Sequence, residues 1–544
     1  MTTSSEGGRL RPLVAGQKRR GRFDDFGLAF TGTLLRSGRK ERPERESDDE
    51  QEKENPFHIS LPAVRAGVTR AMLRGMIPSL EAPIKTVGVR GPLVRQILVI
   101  AVPASVQFIV SYVQMTADMA FIGNYDTAGL AAIHNVRTTY EFLLAFLLAF
   151  TNGTRVLVAR SIGVGKPGMT LAVRDASLLY NQLISFAYLA FWQLGGHWLL
   201  ATLGAQGNVL AMGWSYVRIL SLVFAINGLS LTAIAVLQGQ GRTVPVAIAA
   251  LIRTFINLPL DWLLIYGNWG FPEWGIAGAA LATLIAEIIG GAYLIVMIFR
   301  DGAARSLRRG VSQRVRRLRH VYSSIYRRVA SIGLPSALEA LTNRAGNVGI
   351  LALLNALSKS AAGYYGVVST VKMLSVSLYF GMGVATMTLV GMAVGAKDHA
   401  RGRRVSRTVL AMAFGVCSLV ALVFVLAPAR ILGLFVADPA VARELAPLMF
   451  IASLTLFPQA VNVVSGSSLI ARGYAKAFLK VQVIGTVVVL PLAYLAMFTL
   501  SLGLTGLLWV VFVDELWRGT TNALILRRIS RPGATALNRS PAPR

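Results

Sequence analysis

The stretch FINLPLDWLLIYG (255–267) decides the fold and poses a chemical question. It belongs to an apolar run that begins near residue 244, and a run of about twenty such residues is long enough to cross a bilayer as a helix. Asp261 stands within this run, between Leu260 and Trp262. A carboxylate in hydrocarbon costs several kcal/mol unless it is paired or hydrated, and such residues mark functional sites by default. The stretch therefore predicts a transmembrane helix that carries a functional acid.

Similar apolar runs fill most of the chain, which has 544 residues, 15% charged residues and a mean hydropathy of +0.56. In lipid each run must be a helix, because only then are its backbone groups satisfied within the segment. We therefore predict an all-α polytopic membrane protein with twelve transmembrane helices. The predicted spans are 96–118, 129–155, 175–203, 209–236, 244–267, 275–299, 325–356, 362–394, 408–434, 444–468, 477–500 and 503–526.

The formal net charge of +29 is explained by the topology. Lysine and arginine gather on cytoplasmic loops of membrane proteins, and here they concentrate on alternate loops, most densely between residues 300 and 328. We attribute the charge to this bias and to attraction for anionic lipid, rather than to nucleic acid. Both termini are then predicted to be cytoplasmic. The single cysteine, Cys417, excludes an internal disulfide.

The regions outside the spans differ in composition from them. Residues 1–94 form a predicted cytoplasmic extension whose mixed-charge tract is typical of disorder. Within it, arginines are spaced among apolar residues over 61–80, as in a helix that lies on a membrane surface. Residues 300–324 are predicted to be a basic linker and 529–544 a tail. We expect the plasma (inner) membrane, with an organellar membrane as the alternative, because the first 40 residues hold few acids.

The two halves of the membrane region repeat one another. VPASVQ (102–107) matches LPSALE (334–339), with prolines 232 positions apart, and LVARSIGVGK matches LVGMAVGAKD at the same offset. GIAGAALATLIAE (275–287) matches GLTGLLWVVFVDE (503–515), 228 positions apart. Each half has six spans, so both enter the membrane in the same orientation and are related by a pseudo-two-fold axis along the membrane normal. We predict an N-lobe at 95–299 and a C-lobe at 325–528.

Four oxygen-bearing side chains fall at one depth of the N-lobe. Asp118 and Asp261 lie about 8 Å below the outer ends of their helices, Asn257 is one turn from Asp261, and Thr283 lies about 12 Å down the sixth helix. Oxygen ligands at one level suit a proton or a hard cation such as Na⁺. They are the predicted cation site, and no other metal site is expected.

Structural interpretations of these residues remain open. Arg253 shares a helix face with Asp261, which allows an ion pair. Asn257 could serve only to bond neighbouring helices, and a threonine inside a helix commonly bonds its own backbone. Glu287 has a counterpart at Glu515, and a repeated position favours packing over proton relay.

Several segments, in their order and spacing, resemble the multidrug and toxic compound extrusion (MATE) transporters over residues 95 to 528. They are MTADMAFIG (115–123), LQGQGRTVP (237–245), INLPLDWLLIYG (256–267) and TLVGMAVGAKDHARGRR (388–404). The resemblance implies a cation-coupled exporter of amphipathic, often cationic, small molecules. It also implies that Asp118, Asn257, Asp261 and Thr283 form the cation or proton site that one branch of the family has.

The C-lobe departs from the pattern of another branch, which has acids on the seventh and tenth helices. Position 343 is Asn here, and residues 458–466 contain no acid. We therefore place ion coupling in the N-lobe and keep Glu339 as a secondary candidate. Tyr112, Tyr140 and Phe255 are predicted to line the substrate chamber.

The predicted function is an antiporter that exchanges H⁺ or Na⁺ for a small-molecule substrate, without a cofactor and as a monomer. It is not expected to be an enzyme. GVGKPG lacks the upstream glycine and the Ser/Thr after the lysine of a phosphate loop, so ATP is not expected to power transport. One rival is a lipid-linked precursor flippase of related fold, which predicts a charged central groove and two further helices. Another is a membrane scaffold or channel.

Overall fold

The computed structural model describes residues 91–125, 127–202, 204–300, 311–358, 360–436 and 438–530. The predicted interfacial helix at 61–80, most of the 1–94 extension, and the tail from 531 onward lie outside the described residues, as does the linker segment 301–310.

Twelve long helical segments account for nearly all of the described residues, and we label them α1 to α12. α4 consists of two helices joined by a 3-10 turn at Ser221–Val223, and α11 ends in a π-helical turn at Leu495–Thr499. The bounds are α1 Leu93–Tyr125, α2 Thr127–Gly163, α3 Pro167–Thr202, α4 Gly207–Gly239, α5 Val244–Tyr266, α6 Gly275–Phe299, α7 Val311–Leu357, α8 Ala361–Gly395, α9 His399–Leu426, α10 Pro439–Ala471, α11 Ala475–Thr499 and α12 Gly503–Ile529.

The helix ends follow local chemistry. Gly267 ends α5 in the left-handed conformation, with φ 67°, which glycine adopts at little cost. The predicted span 408–434 is wrong at its end, because α9 stops at Leu426. A separate short helix, Pro428–Leu432, begins with a proline that cannot continue α9.

Nine helices among the described residues are long and apolar enough to cross a membrane on those criteria alone. The remaining three, α3, α7 and α12, carry polar side chains, several of which hydrogen-bond inside the protein. On α3, for example, the amide of Asn181 donates to Thr232 on α4 at 2.8 Å. The polar groups of α7 and α12 bond one another, as described below. Intramembrane polar residues that face the bundle interior are compatible with a spanning helix.

The helices form two lobes with matching internal structure, α1–α6 and α7–α12. The turn after α4 places Gly241 at φ 76°, and the turn after α10 places Gly473 at φ 91°, again 232 positions apart. The N-lobe core contains Trp192 and Phe224, and a smaller C-lobe core cluster contains Leu354 and Met497.

The lobes pack against each other on the side of the molecule where α1 begins and α12 ends. We call this side the basic face, because Lys166, Lys397 and Arg404 lie there. Close backbone approach needs glycine at this interface: a Cβ on Gly395 would collide with the carbonyl oxygen of Arg160. Polar contacts add to it, with Arg160 Nη2 donating to the carbonyl of Ala471 at 2.7 Å. The structure is therefore closed between the lobes at the basic face.

Gly395→Ala should shift the protein away from this closed arrangement, because the added methyl group collides with backbone that cannot move alone. As the lobes separate at the basic face, they should approach each other at the other side of the molecule. We therefore expect the distance between two spin labels, one on each lobe at that other side, to shorten in double electron–electron resonance. Gly415→Ala is the matched control, since a Cβ there meets no atom within 4 Å. An unchanged distance distribution for Gly395→Ala would show that this contact does not set the closed state.

Candidate functional site

The centre of the candidate site is buried on α5. The side chains of Asn257 and Asp261 are both 0% exposed and lie one turn apart on the same helix face. Asp118 of α1 and Asn257 are the groups that lie beside the Asp261 carboxyl. The structure thus brings together three of the four predicted site residues.

These buried groups are poorly satisfied. Neither carboxylate oxygen of Asp261, and neither amide atom of Asn257, makes an aligned hydrogen bond to a described residue. A buried polar atom that lacks a hydrogen bond costs about 1–3 kcal/mol of stability. A proton on the carboxyl, or a cation among these oxygens, would remove that cost. The donor set of carboxylate and amide oxygens fits H⁺ or Na⁺.

Thr283 bonds within its own helix. Its hydroxyl donates to the carbonyl of Ala279 at 3.0 Å, and its side chain is half-buried. The hydroxyl oxygen keeps a lone pair that can still accept or coordinate. Its membership in the site remains a prediction.

Arg253 does not pair with Asp261. Its guanidinium lies 3.1 Å from the Glu287 carboxylate on α6. The physical reason is distance along the helix, because eight residues separate Arg253 from Asp261 by about 12 Å. Asp261 therefore has no arginine partner among the described residues, and Glu287 belongs to an ion pair between α5 and α6.

The corresponding places in the C-lobe are apolar. At the repeat offsets, Asp118, Asn257, Asp261 and Thr283 correspond to Ile350, Val489, Ala493 and Val511. Ile350 and Ala493 belong to the C-lobe core cluster, and Val511 packs against it. The C-lobe thus folds with apolar side chains at these four positions. Packing alone therefore does not require polar side chains at the equivalent positions of the N-lobe.

In each lobe an arginine also packs against a glycine of the neighbouring helix, but the helix that carries the arginine differs between the two lobes. In the N-lobe Arg253 of α5 lies against Gly290 of α6, and in the C-lobe Arg518 of α12 lies against Gly485 of α11. Gly485 corresponds to Arg253 at offset 232, and Arg518 to Gly290 at offset 228. A Cβ on either glycine would collide with the arginine. This repeated arrangement supports a packing role for the Arg253–Glu287 pair.

A buried network surrounds Arg518 in the C-lobe. Its guanidinium contacts Asp514 at 2.8 Å, Asn343 at 3.0 Å and Gln482 at 2.7 Å. Asn343 in turn donates to Glu339 at 2.6 Å. Glu339 is therefore part of a network with a resident cation and not an isolated acid.

The network continues through Asn462. This amide accepts from Gln482 at 3.0 Å and donates to Glu515 at 3.0 Å, and Lys372 lies near Glu515. This cluster was not predicted from the sequence. Its only local signal is Asp514 and Arg518, four residues apart in an apolar span.

The three predicted chamber residues differ in their surroundings. Tyr140 is 7% exposed and packs in the N-lobe core, with its ring 5.1 Å from that of Phe224. Phe255 is 74% exposed, but it belongs to an apolar stripe that runs the length of α5 from Val244 to Trp262. Its place in the chamber remains a prediction. Tyr112 is half-buried on α1 and stays a candidate.

An ion pair that the sequence analysis did not foresee joins the lobes midway across the molecule. Arg344 Nη1 of α7 lies 2.7 Å from Glu141 Oε2 of α2, and the two side chains are 38% and 28% exposed. Both residues lie about 20 Å from the helix ends opposite the basic face. The exposed space between the lobes is therefore lined by charges of both signs.

Comparisons with known proteins agree with the paired lobes. The MatE family model matches residues 103–263 and again residues 335–495. A probable multidrug resistance protein NorM of Thermotoga maritima is 25% identical over 438 residues, covering 79% of this chain and 91% of that protein. A probable multidrug resistance protein NorM of Caulobacter vibrioides is 26% identical over 434 residues, covering 78% and 90%.

Solved structures share the whole fold. An outward-facing multidrug resistance MATE family transporter of the MOP superfamily superposes with a TM-score of 0.76 at 19% identity, covering 85% of this chain and all of that one. A MATE structure in the bent conformation gives a TM-score of 0.73 at 20% identity, covering 84% and 99%. The predicted two-lobe membrane fold is confirmed. The chain belongs to the MATE family of transporters.

Proposed function

We propose that the protein is an antiporter that takes up H⁺ or Na⁺ and exports amphipathic or cationic small molecules by alternating access. The coupling ion binds at Asp118, Asn257 and Asp261, with Thr283 at the edge. The observation that carries the proposal is the fully buried polar pair Asn257 and Asp261 beside Asp118, because the counterparts of all three in the other lobe are apolar.

Coupling follows from the charge of the site. When Asp118 and Asp261 are both ionised, two adjacent carboxylates repel each other in a buried place. A proton or Na⁺ removes the repulsion and the cost of burial, and so favours whichever lobe arrangement closes around the neutral site. The ion shifts the equilibrium between the two openings by no more than its difference in affinity for them.

The substrate class is supported by the relatives and by the space between the lobes. The two bacterial relatives are named as multidrug resistance proteins. Among the described residues, the space between the lobes is lined by Glu141, whose negative charge attracts a cation, and by Arg344, whose positive charge offsets that of Glu141. A groove built for a lipid-linked anion would need an excess of positive charge, so this balance favours export of small molecules.

Proteoliposomes that contain the purified protein should move ethidium only when a pH or Na⁺ gradient is imposed. The reason is that the lobes change their opening in step with neutralisation of the site. We also expect counterflow, in which unlabelled ethidium on one side accelerates entry of labelled ethidium, because a carrier exchanges its load. Passive movement that ignores both gradients, without counterflow, would indicate a channel.

The basic face should be cytoplasmic in a plasma (inner) membrane. Reporter fusions after residues 166, 310 and 400 should report cytoplasm, and fusions at 206 and 270 the outside, since positively charged loops are retained inside. A cytoplasmic signal at 270 would contradict the orientation.

A further inference from the structure

A cavity of about 450 Å³ opens at the basic face of the C-lobe, far from the candidate ion site. It lies between the start of α9 and the ends of α10 and α12. Its lining residues are Arg403, Ser406, Arg407, Leu410, Val464, Ser465, Arg472, Ala523, Leu526, Arg527 and Ser530. We call it the arginine pocket.

The arginine pocket holds four arginines, and none of the described residues that line it is acidic. Arg403 donates to the carbonyl of Ser530 at 3.3 Å, which is a neutral partner. The Nε and Nη2 atoms of Arg472 are buried and make no hydrogen bond to a described residue. Burial lowers the pKa of the Arg472 guanidinium, and the nearby charge of Arg403 lowers it further. Such crowding of like charges is costly unless an anion offsets it.

The N-lobe shows that the fold does not require these arginines. At the repeat offsets, Arg403, Arg407, Arg472 and Arg527 correspond to Leu171, Asp175, Gln240 and Phe299. The one arginine at this place in the N-lobe, Arg174, is neutralised by Asp175 at 2.7 Å and lies over the Phe299 ring at 5.0 Å. The pocket of the C-lobe therefore carries more positive charge than the equivalent place in the N-lobe, and no acid among the described residues lines it to offset that charge.

The arginine pocket is also amphipathic along the membrane normal. Arg403, Arg472 and Arg527 lie at the helix ends, whereas Leu410 and Val464 lie deeper by about 10 Å. Guanidinium groups bind phosphate oxygens through charge-assisted hydrogen bonds, and basic pockets between helices on this side of membrane proteins suit anionic headgroups. We propose that the arginine pocket binds an anionic phospholipid of the adjoining leaflet, with the phosphate at the arginines and the start of an acyl chain along the leucine and valine.

The test uses the full-length protein and exposed arginines, so that folding is preserved. Arg407→Gln/Arg527→Gln removes two charges that line the pocket. Arg404→Gln/Arg528→Gln removes two equally exposed charges that do not line it. Each protein, in neutral detergent, is titrated with phosphatidylglycerol, phosphatidylcholine or inorganic phosphate, while retained lipid is counted by native mass spectrometry and the midpoint of thermal unfolding is recorded.

We expect wild type and the control variant to retain phosphatidylglycerol and to unfold at a higher temperature in its presence than with phosphatidylcholine. The pocket variant should bind it about thirtyfold more weakly, at roughly 1 kcal/mol for each basic residue near the lipid surface. An equal loss of phosphatidylglycerol binding in the pocket variant and the control variant would mean that the lipid responds only to general surface charge, and it would overturn the proposal. Equal stabilisation by inorganic phosphate would also overturn it, because the ligand would then be a free anion.

Discussion

Asp261→Asn should insert, fold and bind ethidium as wild type does, and yet fail to export it against a gradient of either ion. Asparagine keeps the size of the side chain but cannot take up a proton or offer a charge to Na⁺. The Asp261 side chain is fully buried, and asparagine nearly matches its shape, so we expect the packing around it to be preserved. The site is then fixed in its neutral form, and the ion can no longer bias the two openings. Gradient-driven efflux from proteoliposomes measures this directly.

Asp118→Asn should have the same effect, because the two carboxyls lie side by side and act as one unit. The double variant should be little worse than either single one, as is usual for residues that share one function. The control is Arg253→Gln/Glu287→Gln, which removes two nearby intramembrane charges as a pair and should leave efflux coupled to the gradient. Wild-type gradient-driven efflux by Asp261→Asn would remove this site from the mechanism.

Arg518→Met should instead destabilise the folded protein strongly. Its guanidinium contacts Asp514, Asn343 and Gln482 inside the C-lobe, and the Arg518 side chain is only 7% exposed. Removing one partner of a buried ion pair leaves the other charge uncompensated, at a cost of about 3–5 kcal/mol. We expect a large fall in membrane abundance and in the midpoint of thermal unfolding in detergent.

Two further variants separate this network effect from loss of any arginine. Arg518→Met/Asp514→Asn removes the stranded charge and should recover part of the stability. Arg344→Met removes an exposed arginine whose pair is worth about 0–1 kcal/mol, so its unfolding midpoint should stay near that of wild type. An unchanged midpoint for Arg518→Met would mean that the C-lobe tolerates an unpaired Asp514 and that the network is not structural.

The two lobes thus have different roles in the proposed mechanism. The N-lobe keeps a buried polar site without a resident cation among the described residues, so it can respond to a mobile one. The C-lobe surrounds its acids with Arg518 and Lys372, which stay in place. This difference supports the proposal that ion coupling is confined to the N-lobe, as does the asparagine at position 343.

Much of the fold was predictable from the sequence, because a bilayer imposes helices of a narrow length range on apolar runs. The repeat offset of 232 then aligned the lobes and exposed the contrast between Asp261 and Ala493. Asp118, Asn257 and Asp261 could be grouped because helix rise alone gives their depth. Depth needs no knowledge of side-chain contacts.

Contacts between helices were beyond the same reasoning. The Arg518 network joins Asn343, Gln482 and Asn462 from three other helices, and each looks like an isolated polar residue in its own span. Phe255 is exposed, and periodicity does not distinguish a helix face that contacts lipid from one that lines a chamber, so its assignment stays a prediction. Arg253 shares a helix with Asp261 but pairs with Glu287 of the neighbouring helix, a contact that only the packing of α5 on α6 reveals.

The coupling site is tested most directly by counting the ions that enter as ethidium leaves proteoliposomes, with a pH-sensitive dye for H⁺ and radioactive sodium for Na⁺. Wild type should show ion uptake in fixed proportion to ethidium efflux for one of the two ions. Asp261→Asn should show none above empty vesicles, while Arg253→Gln/Glu287→Gln keeps the wild-type proportion. Substrate-coupled ion uptake by Asp261→Asn at the wild-type ratio would contradict the assignment of the ion site to Asp118, Asn257 and Asp261.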